Sequence, residues 1–392
     1  MPNPKALPWC QPMTPTDLKQ ILDLTIDCDN ANKITTFLCL LSAYTTDSQF
    51  NISFNAPSST GKSYIPTQIA ELFPAEDVRR IAYCSPKAFF HEIGTYDRQT
   101  KRHIVDLSRK ILIFLDQPHN ELLARLRPML SHDEPEIAIK ITDRSRNSGL
   151  RTKDVRLRGY PAVIFCTAGL QIDEQEATRF LFLSPDMDQD KLQKAVTSAA
   201  LREADKAVFK ARLESDMDRR LLIRRLAAIK AEGIEDVTIT NPGAITKLFV
   251  GTVTPLLPRH QRDVKRLISL VKAFALLNLW WRTRHGQIIY ANDNDVEWAI
   301  DLWMHIREGQ DLNLPPYVYS IFNDIISPLC KTQGGRKAIS RSDLQRRYLE
   351  LYGRHANERQ MRTQILPMLE SAGLLQQVPD PQDRRRQLIA LP

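Results

Sequence analysis

Residues 56–63 read Ala56-Pro57-Ser58-Ser59-Thr60-Gly61-Lys62-Ser63. A glycine, a lysine and a hydroxyl in that order, set between a strand and a helix, are the residue types that hold a polyphosphate. The flanks fit. Asn51–Asn55 alternates apolar and polar positions, and Tyr64–Phe73 is apolar at helical spacing. In such a loop the backbone N–H groups surround the β-phosphate, and the following helix turns its positive end toward it. Lys62 then reaches the β- and γ-phosphates, and the Ser63 hydroxyl is placed for Mg²⁺. The expected ligands are ATP and Mg²⁺. One departure is visible: Ala56 stands where the first glycine is usual.

A phosphate loop alone binds; hydrolysis needs more groups. Ile111–Leu115 is a continuous apolar run ending in Asp116, the pattern of a buried parallel strand that delivers an acid at its C-terminal end. Asp116 there serves the Mg²⁺ shell opposite Ser63. Gln117 follows; an amide cannot take a proton but can orient water. Glu121 and Asp133 are the nearby candidate acids for a base, and the sequence does not choose between them. A third apolar run, Ala162–Cys166, ends in Thr167. Arg179 precedes the apolar Phe180-Leu181.

Two further stretches carry a resemblance. Arg262–Ala275 and Asp295–Leu302, taken with the motifs above, make the chain similar to AAA+ ATPases close to the minichromosome maintenance helicases. It looks most like the shorter replicative helicases or initiators of phages, plasmids and mobile islands. The resemblance covers roughly residues 45–305 and implies an α/β fold: a P-loop AAA+ core with a parallel sheet, a helical lid and a C-terminal winged helix. It implies roles as well. Thr167 resembles sensor 1, Arg179 an arginine finger acting across a subunit boundary, and Arg262 the sensor 2 arginine at the head of the lid helix. The departures are Ala56, Gln117 and the lack of a large DNA-binding domain ahead of the ATPase. On residue pattern alone, the Arg262 helix also reads as an ordinary amphipathic core helix.

Between the second and third apolar runs, Ile137, Ile139 and Ile141 alternate and Asn147-Ser148-Gly149 supplies turn chemistry, which predicts a β-hairpin. Lys140, Arg144, Arg146, Arg151, Lys153, Arg156 and Arg158 face Glu136, Asp143 and Asp154, a balance of 7 − 3 = +4. The place of this hairpin resembles the pre-sensor hairpin of helicases, where basic tips in a ring's pore grip single-stranded DNA by its phosphates. From Leu314 onward the pattern predicts three helices and a two-stranded wing. The third helix carries Arg359 and Arg362 and offers a duplex-binding face. The expected division is an N-terminal helical segment at 1–45, an ATPase core at 46–190, a helical linker and lid at 191–310, and a winged-helix domain at 311–392. Long charged helices are expected over Lys191–Lys206 and Phe209–Ala231.

Composition bounds the rest. The chain has 392 residues, 43% of them hydrophobic, and a net charge of +8, which suits a polyanionic partner. No apolar run approaches the roughly 18 residues of a membrane span, and the N-terminus has no signal-like segment, so a cytoplasmic location is expected. The six cysteines form no CxxC pair and read as reduced thiols. A homo-oligomer, most simply a hexamer, is expected from the resemblance. Two other readings stay open: an AAA+ regulator that loads a partner on DNA without processive unwinding, and a winged-helix DNA-binding factor with a nucleotide switch.

Overall fold

The computed structural model describes residues 4–85, 89, 94–99, 102–143, 151–168, 179–253, 255–257, 259–312, 314–332, 335–336, 338–383 and 385–392. Among the described residues nine strands run in the first half: β1 (Asn51–Asn55), β2 (Val78–Ile81), β3 (Thr95–Asp97), β4 (Arg102–Asp106), β5 (Ile111–Phe114), β6 (Glu136–Asp143), β7 (Arg151–Arg158), β8 (Ala162–Thr167) and β9 (Phe180–Leu183). Five make a central sheet in the order β2-β5-β8-β1-β9, every pair parallel. The fold is α/β. Strands β5, β8 and β9 are buried along their whole length, which explains their unbroken apolar runs.

The sequence shows none of β2, β3 and β4 as strands. They are short, and β2 (Val-Arg-Arg-Ile) lies at the sheet edge, where only one neighbour shapes its pattern. The strands β3, β4, β7 and β6 form a second sheet in that order. The hairpin β6–β7 pairs antiparallel from Glu136 opposite Arg158 to Asp143 opposite Arg151. Its turn, with Arg144 and Arg146, lies outside the described residues.

Helices Pro15–Leu22 and Asn30–Ser42 precede β1. The charged region beyond β9 forms three helices, not two: Gln189–Ala204, Lys206–Ser215 and Met217–Glu232. Asp205 and Asp216 make the breaks. Each leaves helical backbone geometry, and its carboxylate accepts the N–H three residues on, from Val208 at 2.9 Å and Arg219 at 2.8 Å. Next come β10 (Asp236–Ile239) and helices Pro242–Thr252 and His260–Leu277. The strands β11 (Thr283–His285) and β12 (Ile288–Ala291) join β10 in a small three-stranded sheet that the apolar pattern does not reveal. Helix Asp293–Asp311 is far longer than the stretch Asp295–Leu302 suggests. Asn292 and Asp295 form its capping box, and Asp295, fully buried, also takes the Arg282 guanidinium at 2.7 and 2.5 Å.

One apolar core joins the N-terminal helices, one face of the sheet and the helices from Met217 to Ile306. A second, from Phe89 to Phe180, covers the other face of the sheet with helix Asn120–Leu130, β4 and β7. A third, from Leu314 to Ile389, belongs to the C-terminal region and includes Met187 from the first part. That region is helical over Pro316–Cys330, Arg341–Tyr352 and Glu358–Ser371, and ends in the antiparallel pair Gln376–Pro379 and Gln387–Ala390. Among the described residues, no helix is long and apolar enough to cross a membrane.

Candidate functional site

Because all five core strands are parallel, their C-terminal ends share one edge, where ligands gather in open α/β sheets. The loop Ala56–Ser63 leaves β1 at that edge. Ala56 N–H bonds the Thr167 carbonyl at 3.2 Å, tying the loop's first residue to the end of β8. Ala56 has no positive φ, so nothing there demands glycine. Left-handed backbone falls instead at Ser59 (φ 65°) and Gly61 (φ 90°). Alternating handedness of this kind builds N–H concavities that take anions, and a left-handed serine is strain of the sort kept at functional loops. The Thr60 hydroxyl donates to the Pro57 carbonyl at 2.9 Å, bracing the turn between Pro57, Ser58 and Ser59. Beneath it the buried Cys166 thiol donates to the Lys62 carbonyl at 3.3 Å; burial pushes that thiol up to about 12, so it stays a donor.

Asp116 and Gln117 leave β5 at the same edge, one strand removed from β1, and Thr167 ends β8 between them. The Asp116 carboxylate accepts the Gln117 N–H at 2.8 Å, and the Thr167 hydroxyl donates to the Gln117 side-chain oxygen at 2.9 Å. Lys62, Ser63, Asp116, Gln117 and Thr167 therefore converge from three strands. Ser63 begins helix Tyr64–Ala70 without using its hydroxyl as a cap. Asp116 is exposed and keeps its second oxygen outside the Gln117 bond. A hydroxyl and a carboxylate are hard oxygen donors that suit Mg²⁺, so the residues fit that ion.

The two acids the sequence offers as a base part company. Glu121 sits in the first turn of helix Asn120–Leu130 and pairs with Arg125. Asp133 follows that helix's far end, about 16 Å away along an 11-residue helix, and its N–H bonds the Pro128 carbonyl. Asp133 is thus on the wrong edge of the sheet to serve this loop.

Arg179 and Arg262 do not join the loop either. Arg179 precedes β9, whose first residue pairs with Asn51 at the start of β1. The length of β1, about 13 Å for four steps, separates that end from the phosphate loop. There the Arg179 Nε donates to the Ser131 hydroxyl at 2.6 Å. Arg262 is exposed in the first turn of helix His260–Leu277. One turn on, Arg266 donates to the Phe180 carbonyl at 2.9 Å and to Asp263 at 2.7 Å. Arg179 therefore lies toward the end of the sheet opposite its own Lys62.

Beside Arg262, His260, Asp263 and Asp311 bring ligand atoms within 4.8 Å of one another. They do not fit a cation. Asp263 already takes Arg259 and Arg266. The His260 Nδ1 accepts the Leu257 N–H at 2.9 Å, which leaves the ring proton on Nε2, the atom facing Asp311.

In the hairpin, Lys140 is exposed, but the described base is balanced. Glu136 takes Arg156 and Arg158, whose guanidinium groups hold its carboxyl below the usual range, and Asp154 takes Arg102 at 3.5 Å. Arg151 and Lys153 lie on β7; their side chains, like Arg144 and Arg146, lie outside the described residues. In the C-terminal region, Arg359 and Arg362 are exposed one turn apart on helix Glu358–Ser371, beside a groove lined by Asn357, Gln360, Thr363 and Gln364.

One group was missed from sequence: β1 reads Asn51-Ile52-Ser53-Phe54-Asn55 yet is buried throughout. Polar residues at every second position of a strand covered on both faces are the available signal.

No protein-family profile matches this chain, and no curated protein matches it. Among solved structures it is similar to a candidate ATPase of Cytophaga hutchinsonii, at 13% identity and a TM-score of 0.39, over 72% of this chain and 84% of that one.

Proposed function

We propose that this chain hydrolyses ATP at sites shared between neighbouring copies and uses the turnover to move on DNA. One observation carries the reading: the phosphate loop, Asp116 and the Thr167–Gln117 pair occupy one edge of the sheet, while Arg179 stands at the other. An arginine placed away from its own loop suits a neighbour's, as in a head-to-tail ring.

In this reading the loop N–H groups and Lys62 bind the polyphosphate. Ser63 and Asp116 hold Mg²⁺, which when bound neutralises charge between the β- and γ-phosphates. Gln117, fixed by Thr167, orients water. Arg179 of the adjacent copy stabilises the charge that develops on the transferred group. The DNA partner rests on the β6–β7 hairpin, with Lys140, Arg144, Arg146, Arg151 and Lys153, and on Arg359 and Arg362 in a winged-helix-like C-terminal region.

The test is ATP turnover across protein concentration, with and without single-stranded DNA, for the native chain and Lys62→Ala. Specific turnover should climb as copies assemble, rise further with DNA, and vanish in the variant. Turnover by dilute monomer at the full rate would refute the shared site. A rate indifferent to DNA would refute the motor. A forked substrate separates a translocase from a regulator that loads a partner, because only the former displaces a strand.

A further inference from the structure

Asn55 is the last residue of β1 and is fully buried. Its side-chain oxygen accepts the Ser53 hydroxyl, and its main-chain carbonyl accepts the Ser184 hydroxyl at 2.6 Å. Its amide nitrogen has no hydrogen-bond partner. A buried amide donor left unmade is costly, and such groups are rare in folded chains. Ser53 makes the cost specific. With the Ser53 hydroxyl donating to the oxygen, the atom left over is the N–H₂.

The register says where that donor stands. Asn55 pairs with Thr167 across parallel strands, so their side chains rise from the same face, about 5 Å apart at the backbone. Thr167 in turn donates to the side-chain oxygen of Gln117 at 2.9 Å. Resting on the nucleotide-site reading above, we propose that Asn55 is a positioning residue: when nucleotide binds, its unpartnered amide closes onto the Thr167 hydroxyl oxygen, commits the Thr167 proton to Gln117, and so turns the Gln117 N–H₂ outward as a sensor of the terminal phosphate.

The chemistry differs from that of an acid at position 117. A carboxylate there accepts a proton from water. An amide whose oxygen is capped by Thr167 presents two donors, which favour an anionic oxygen. The chain Asn55 → Thr167 → Gln117 runs one way only, and hydrogen bonds aligned in series strengthen one another in a dry site. Occupancy of the site by a triphosphate, rather than a diphosphate, is what such a relay distinguishes.

The experiment is equilibrium binding of ADP and of a non-hydrolysable ATP analogue, each with Mg²⁺, to the full chain and to Asn55→Leu, Thr167→Val and the double variant. Asn55→Leu should bind ADP within about twofold of the native chain and the analogue about tenfold more weakly, the scale of one well-placed hydrogen bond. Thr167→Val should behave alike, and the double variant should lose no more than either single one. Asn55→Ser, which keeps a donor, should recover part of the discrimination. Equal loss for both nucleotides would mark a structural role and overturn the proposal; so would no loss, or additive losses. If Asn55→Leu does not fold, Asn55→Ala is held to the same outcomes. Failure of the underlying site is separable, because the native chain would then bind neither nucleotide, or Lys62→Ala would bind both unchanged.

Discussion

Replacing Arg179 by Ala should remove turnover while leaving nucleotide binding nearly intact. The magnitude follows from where the residue stands. Arg179 is anchored to Ser131 at the N-terminal end of β9, and its own phosphate loop begins beyond the opposite end of the adjacent strand. That separation, about 13 Å of strand alone, exceeds what an arginine side chain spans, so the variant spoils only its neighbour's site. An arginine finger contributes roughly a thousandfold or more to turnover, and the homogeneous variant should fall by that much. Lys62→Ala spoils the complementary half. In an equimolar mixture, an interface is intact when the loop comes from an Arg179→Ala copy and the finger from a Lys62→Ala copy. Random assembly makes that about one half times one half, or roughly a quarter, of interfaces. Mixing two dead proteins should therefore restore about a quarter of native turnover per interface. The assay is phosphate release after co-assembly, with mixed association checked by differently tagged copies. Demonstrated co-assembly with no recovery would refute the trans assignment, and native turnover in Arg179→Ala alone would dispose of the finger.

Gln117→Glu should weaken binding of a non-hydrolysable ATP analogue and spare ADP, since an acceptor-only carboxylate replaces the two amide donors that Thr167 turns outward; equal affinity for the analogue would mean that residue 117 does not face the terminal phosphate. Asp295→Asn should destabilise the protein by about 3 kcal/mol or more, because it leaves the buried Arg282 without its counter-charge; a urea midpoint equal to the native one would contradict this. Substituting Arg144, Arg146 and Arg151 together by Ala should lower the log–log salt slope of single-stranded DNA binding by about 2, at roughly 0.7 per lost phosphate contact. Arg156→Ala should move that slope much less, since Glu136 already neutralises Arg156; equal effects at both places would show that the hairpin tip has no special role.

The parts legible in the sequence are those where local pattern and tertiary role coincide. The loop and the three apolar runs declare themselves because buried parallel strands need no polar face, and acids or hydroxyls at their ends interrupt the run abruptly. The helices Arg341–Tyr352 and Glu358–Ser371 were visible through Ser340, Asn357, Gly353 and Gly373, all acting at their ends. The short strands β3 and β4 carry too few residues to show a period, and what fixes them is pairing with β7, far off in sequence. The long charged helices were misjudged because Asp205 and Asp216 looked like surface charge when they are caps. At the site, the motif residues were readable one by one. That Thr167 touches Gln117, and that Asp133 is remote, depends on strand order, which no local window encodes.

The apolar interiors bear on how the protein comes apart. Two of them lie on opposite faces of the same five strands, one shared with the N-terminal helices and the helices through Ile306 and the other with helix Asn120–Leu130, so the sheet ties both together. The C-terminal region keeps its own interior and meets the rest through a few links, such as the Tyr317 N–H on the Ser184 hydroxyl at 3.1 Å and the Gln189 amide on the Leu351 carbonyl at 3.3 Å. Melting should then proceed in two stages rather than one. On the proposed reading nucleotide sits at the sheet's edge alone, and it should lift only that stage by mass action. The C-terminal region is left as a module whose loss, exchange or proteolytic release should cost the phosphate-loop edge of the sheet little.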